Sequence, residues 1–160
     1  MIAFVLENRN IFIFLHVISA VIWVGGMIAM RFAAHYSFVA IVNPQDRLEK
    51  SSAALKRLFY IVMPFVLLLA ATGALLTVAY GIKYTPYHYL THIKEGIWGV
   101  MFMNLVMMMI RRAKADQAMQ RGDFHEARAL LGMISKYMVP VNIVLGVVAI
   151  FFGTLLRSYL

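Results

Sequence analysis

The sequence predicts an all-α integral membrane protein, a four-helix bundle folded as a single transmembrane domain over residues 1–160, and three observations predict it. The first is composition. Hydrophobic residues make up 62% of the chain and charged residues 14%, whereas an ordinary soluble domain carries about 25% charged residues. A soluble fold of this length has too little interior to hide so much apolar surface. That excludes a soluble globular enzyme, a disordered chain and a disulfide scaffold. The second observation is four long apolar runs. The third is that the net charge of +8 is gathered into two of the connections between those runs.

A helix that crosses a bilayer needs roughly 20 apolar residues. Only helices and closed barrels satisfy every backbone polar group in lipid, and long runs without period-two alternation are helical. Residues 11–30 form the first uncharged run, and beyond Arg31 the polarity stays low to Val42. The apolar stretch is longer than a signal-peptide core and shows no small-x-small cleavage site, so it reads as a first span. Residues 58–82 form the second run. Residues 96–110 are uncharged but too short alone, so the third span extends back through Glu95, Lys94 and His92. Residues 137–156 form the fourth. The expected spans are residues 11–35, 58–82, 88–112 and 135–157.

Arg47, Lys50, Lys56 and Arg57 lie between the first and second spans. Arg111, Arg112, Lys114, Arg121, Arg128 and Lys136 lie between the third and fourth, while the opposite side has only Arg9, Lys83 and Arg157. The positive-inside rule puts the two basic connections in the cytoplasm and both termini outside, as in a multi-pass protein of a bacterial inner membrane. These charges serve orientation and lipid headgroups. Without a reading module beside them they do not indicate a nucleic-acid partner. The connection 111–136 is alanine-rich and expected to be helical, broken at Arg121-Gly122-Asp123. Asp123 is a candidate cap, with Glu126 as its capping-box partner.

Ionisable residues inside a span are costly and point to function. Helical spacing puts His16, Ser19, Ala20, Trp23, Met27 and Met30 on one stripe of the first span, with Arg31 near its end. Gly25 and Gly26 allow close approach of a neighbour or a flat ligand. On the third span His88 and His92 share a face that Glu95 and Gly99 continue. Lys94 lies about 200° round from His92, so it points away from it or snorkels up to the interface. Both spans enter from the outer side, so His16 and His92 are expected at similar depth. Two neutral imidazoles facing each other across a gap lined by small residues suit the iron of haem b. Glu95 or His88 then orients a ligand or meets a propionate. His88 equally fits the aromatic interface belt Tyr84-Thr85-Pro86-Tyr87-His88-Tyr89.

The chain has no cysteine, which removes thiolate sites. Met27, Met30, Met101, Met103, Met107, Met108 and Met109 suggest thioether ligands for Cu(I), and equally suggest apolar filler. Asn104 and Asn142 are placed to hydrogen-bond between helices. Pro64 and Pro140 kink or open the second and fourth spans. Thr72-Gly73 offers a close-packing point.

Leu15-His16, Trp23, Gly25-Gly26, Arg31 and His35, with His92-Ile93-Lys94, Pro64, Gly73 and Pro140, resemble the HemJ-type protoporphyrinogen oxidases, small four-helix membrane proteins with haem b. The resemblance touches all four spans through scattered residues. It implies that His16 ligates haem iron and that Lys94 is needed for activity. The chain departs from that pattern at Lys136-Tyr137-Met138-Val139-Pro140, which lacks an acid before the proline, and at Ala34-His35-Tyr36. Trp23-Val24-Gly25-Gly26 is also similar to the CopD family of copper-handling membrane proteins. A divergent relative of the HemJ/CopD group is implied.

The expected function is therefore a membrane haem b redox protein. It oxidises protoporphyrinogen IX, or relays electrons from another donor to a membrane acceptor such as a quinone. His16 and His92 are the axial ligands, and Lys94 and Arg31 meet substrate carboxylates or propionates. The alternative is copper transport or delivery. The glycine-bearing faces are candidate surfaces for a homo-oligomer.

Overall fold

The structure, a computed structural model, describes residues 2–158. Among the described residues it is helical throughout, and four helices are long and apolar enough to cross a membrane: Arg9–Val39, Pro44–Ala79, His88–Gln120 and Phe124–Arg157. The first packs on the second and fourth, and the third packs on the same two. Short connections make sequence neighbours antiparallel, so the helices form a ring with the first and third on a diagonal. A short helix, Ile2–Glu7, precedes them and packs on the second long helix, burying Val5.

Caps, rather than charges, set the helix ends. The second helix starts at Pro44, not near residue 58, because Asn43 caps it by accepting from the Gln45 N–H and Pro44 fits the first turn. It stops at Ala79, short of residue 82, because Gly81 adopts a left-handed conformation with φ +62°. The third and fourth helices likewise run past the expected spans, to Gln120 and from Phe124, and are separated where Gly122 takes φ +79°. Lysines and arginines at the end of an apolar run leave the helix intact, so counting uncharged residues underestimates helix length. The expected break at 121–123 is present, and Asp123 accepts from the Glu126 N–H at 2.9 Å. The reciprocal half of the capping box does not form, since Glu126 is held by Arg121 at 2.9 Å.

The core draws on all four long helices. Trp23, Met27, Phe59, Val62, Leu105, Met108 and Ile134 are almost completely buried. The stripe expected on the first span faces inward, with Ser19, Trp23 and Met27 all at 1% exposure or less. The outside is as apolar as the inside. Phe14, Ile61, Met103 and Val144, one from each long helix, are all more than half exposed. A surface of that kind is suited to lipid.

Polar pairs tie the helices together. Asn104 of the third helix donates to the Asn142 side chain at 2.7 Å and to the Met138 carbonyl at 2.8 Å, while Asn142 donates back to the Met101 carbonyl at 3.3 Å. Nearer the basic end, Ser52 donates to Asp116, whose other oxygen accepts from Arg112 at 2.7 Å. Two five-residue π-turns, Met30–Ala34 and Ile134–Met138, interrupt the first and fourth helices. The second directly precedes Val139-Pro140, where proline withholds a backbone N–H. Pro64 lies inside the second helix, which continues through it.

Gly146 brings the fourth helix against the first and third. A Cβ there would lie 2.5 Å from Val24 Cγ2 and 3.3 Å from Met101 Cε. Gly25, by contrast, has nothing within 4 Å. Gly146→Ala is therefore expected to destabilise the detergent-solubilised protein by about 1–3 kcal/mol, the usual cost of overpacking. Gly25→Ala should leave the thermal unfolding temperature unchanged.

Candidate functional site

His16 stands two turns before Trp23 on the inward stripe of the first helix. Its ring packs flat enough on the second helix that a Cβ on Gly73 would lie 3.2 Å from its Cε1. Beside Gly73, Thr72 places its hydroxyl oxygen 3.0 Å from His16 Nδ1. The direction of this hydrogen bond follows from Thr72. Its hydroxyl lies 2.7 Å from the Leu68 carbonyl one turn back, and 3.2 Å from that of Leu69, and a carbonyl can only accept. The single hydroxyl proton is thus used on its own helix, and the oxygen accepts from His16 Nδ1–H. A neutral imidazole has one N–H, so Nε2 carries a free lone pair. Metal-binding histidines are prepared in the same way, with one nitrogen anchored and the other left to the ligand.

Lys94 completes the layer. On the third helix it faces the bundle, half-buried, with its ammonium 3.4 Å from where a Cβ on Gly153 of the fourth helix would sit. It is an electrostatic neighbour of the His16 ring. Among the described residues it has no hydrogen bond or ion pair. One layer near the end of the bundle therefore holds one contribution from each long helix: His16, Thr72-Gly73, Lys94 and Gly153. Three buried polar atoms without a partner flank it. Thr91 Oγ1 and Trp98 Nε1 lie about one turn either side of Lys94, and Trp23 Nε1 lies two turns from His16.

Other expected members lie elsewhere. His88, His92 and Glu95 do share a face, as the spacing predicts. The two rings are 6.0 Å apart, and His92 Nδ1 is 3.1 Å from Glu95. That face is turned outward. The His92 and Glu95 side chains are 71% and 61% exposed, and His88 Nδ1 lies 3.2 Å from the Thr85 carbonyl, also at the surface. The expected meeting of His16 and His92 across the bundle is therefore corrected. Lys94, on the opposite side of the third helix from His92, is the residue that enters. Arg31 is fifteen positions beyond His16, roughly 22 Å along the axis, and lines a separate cavity at the basic end.

Met27, Met101 and Met108 are buried in the apolar core. Among the described residues, no three His, Asp or Glu side chains converge closely enough to hold a metal ion. No family model, curated protein or solved structure matches the chain. The chemistry of the layer itself thus carries the functional argument.

Four contributors are not singled out for this role by the sequence. Thr72 was noted for its packing, although a threonine next to a glycine is also a hydrogen-bond partner for a ring laid on that glycine. Gly153 has one visible signal, its seven-residue spacing from Gly146, which puts both on one helix face. Thr91 and Trp98 carry no signal until the inward face of the third helix is known. The outward placement of His92 is testable because the chain is free of cysteine. A single cysteine replacing His92 is expected to react rapidly with a water-soluble maleimide in detergent, and one replacing Ser19 slowly. Equal rates would contradict the assignment of faces.

Proposed function

We propose that this chain is a multi-pass protein of a bacterial inner membrane that carries haem b and transfers electrons, with His16 as an axial ligand. The observation that carries the proposal is the His16 ring, anchored at Nδ1 by Thr72, which leaves Nε2 unprotonated in that tautomer. The donor set favours haem over a bare ion. A protein-only ion site needs several converging ligands, whereas a porphyrin supplies the equatorial nitrogens and asks the protein only for axial ones. The orphaned donors Thr91 Oγ1, Trp98 Nε1 and Trp23 Nε1 are suited to a bound group with acceptor oxygens.

Haem b supplies one-electron chemistry when bound. The residues have separable tasks. Thr72 fixes the tautomer and orientation of His16. Gly73 leaves room for the ring to lie against the second helix. Lys94 presents a cation that has no ion pair among the described residues, in an apolar setting where a carboxylate of a propionate or of a porphyrin-type substrate gains most from it. In the specific form implied by the HemJ resemblance, electrons come from protoporphyrinogen IX and leave to a quinone-type acceptor, and Lys94 is the residue required for turnover. The basic ends of the helices face the cytoplasm in this proposal, and the His16 layer lies near the outer face.

Protein purified in detergent from haem-replete cells is expected to show a Soret band with reduced alpha and beta bands. His16→Ala should abolish it and His92→Ala should retain it. Thr72→Val, which removes the acceptor for Nδ1–H, should weaken haem retention by about 10–100-fold. A wild-type spectrum in His16→Ala would refute the ligand assignment. A colourless protein with stoichiometric copper would point to the CopD-like alternative. For orientation, an impermeant maleimide should label Tyr84→Cys in intact spheroplasts and His125→Cys only after lysis.

A further inference from the structure

At the opposite end of the bundle from His16, the first, second and fourth long helices enclose a cavity of about 340 Å³. Its walls are mostly apolar, with Phe38 and Leu131 among them, yet Arg31, Arg47, Arg128 and His35 also line it, and no acidic residue does. We propose that this cavity binds the phosphate headgroup of an anionic phospholipid, with the upper part of its acyl chains against the apolar walls.

The arginines differ in how they are held. Arg47 donates from Nε and Nη2 to the Ile41 carbonyl at 3.1 and 2.7 Å. These bonds fix its guanidinium beside the connection between the first two helices and leave its other N–H groups free. Arg31 and Arg128 have no hydrogen bond or ion pair among the described residues. Asp116 is engaged with Arg112 and Ser52, and Glu126 with Arg121, while Asp46 and Glu49 are exposed on the second helix and do not line the cavity. Three guanidiniums without a carboxylate in an apolar cavity call for an anion.

The fold builds this end specially. The π-turn Met30–Ala34 contains Arg31, and the π-turn Ile134–Met138 contributes Ser135 to the lining. Such turns rotate the rest of a helix relative to its start and are frequent at functional sites. The capped start of the second helix at Pro44 also reaches the cavity and adds the positive end of its dipole. A small inorganic anion has no use for the apolar walls, and an apolar chain has no use for the arginines. An anionic lipid satisfies both, and basic cavities between helices at the membrane surface bind such headgroups.

The test is native mass spectrometry of the full chain after delipidation. Phosphatidylglycerol, phosphatidylcholine or inorganic phosphate is added back at equal concentration. The expected result is a single-lipid adduct with phosphatidylglycerol, at least about tenfold more abundant than with phosphatidylcholine, and none with phosphate. The double variant Arg31→Gln/Arg128→Gln should lose this preference. Lys50→Gln/Lys114→Gln, which removes equal charge from exposed positions outside the cavity, should keep it. A thermal melt of each variant confirms that it is folded before lipid is added. Equal retention of both lipids, equal loss in both double variants, or saturable binding of inorganic phosphate alone would overturn the proposal. The haem spectrum should not change in either double variant, so this outcome is separate from that of the haem proposal.

Discussion

A polar side chain in an apolar helix bundle has no water to turn to, so it must find a partner on another helix or leave a bond unmade. That requirement fixes how these four helices sit against one another. Asn104 and Asn142 lock the third helix to the fourth. Thr72 and His16 lock the second to the first. Ser52, Asp116 and Arg112 lock the second to the third at the basic end. Apolar packing alone tolerates sliding and rotation, since one leucine or methionine substitutes readily for another. Directional bonds do not, and glycines at the crossing points let the helices come close enough to make them.

Set against that rule, the exceptions are concentrated. Among the described residues Lys94 is half-buried without a hydrogen bond or ion pair, and the orphaned atoms of Thr91, Trp98 and Trp23 lie within two turns of it or of His16. The other polar residues of the core are paired. This contrast, more than any single residue, is what the proposal of a ligand at the His16 layer rests on. The arginine-lined cavity at the other end has the same character: cations gathered on apolar walls, with no acid among its lining residues.

Much of this was legible in the sequence. Four helices, the inward stripe on the first span with His16 on it, the Asn104 and Asn142 hydrogen bonding and the break at Gly122 all follow from residue type and spacing. The face of the third helix was not legible. Periodicity correctly put His92 and Lys94 on opposite sides, but it gives relative angles only. Choosing the inward side needs a polar face to contrast with an apolar one, and in this helix apolar residues surround the axis. With that contrast missing, the histidine looked the better inward candidate, and the structure turns the lysine inward instead. The long helices run past the expected spans, as the expected helical connection 111–136 already implies, because charge marks where a membrane surface falls and caps mark where a helix stops.

The Thr72 contact holds His16 with Nδ1 protonated and Nε2 unprotonated. Nitrogen-15 NMR of haem-free protein with labelled histidine tests it most directly, with a His16→Gln variant assigning the resonances. The account predicts a pyrrole-type Nδ1 and a pyridine-type Nε2 for His16, with the pattern lost in Thr72→Val. A protonated Nε2 in the wild-type protein would contradict it.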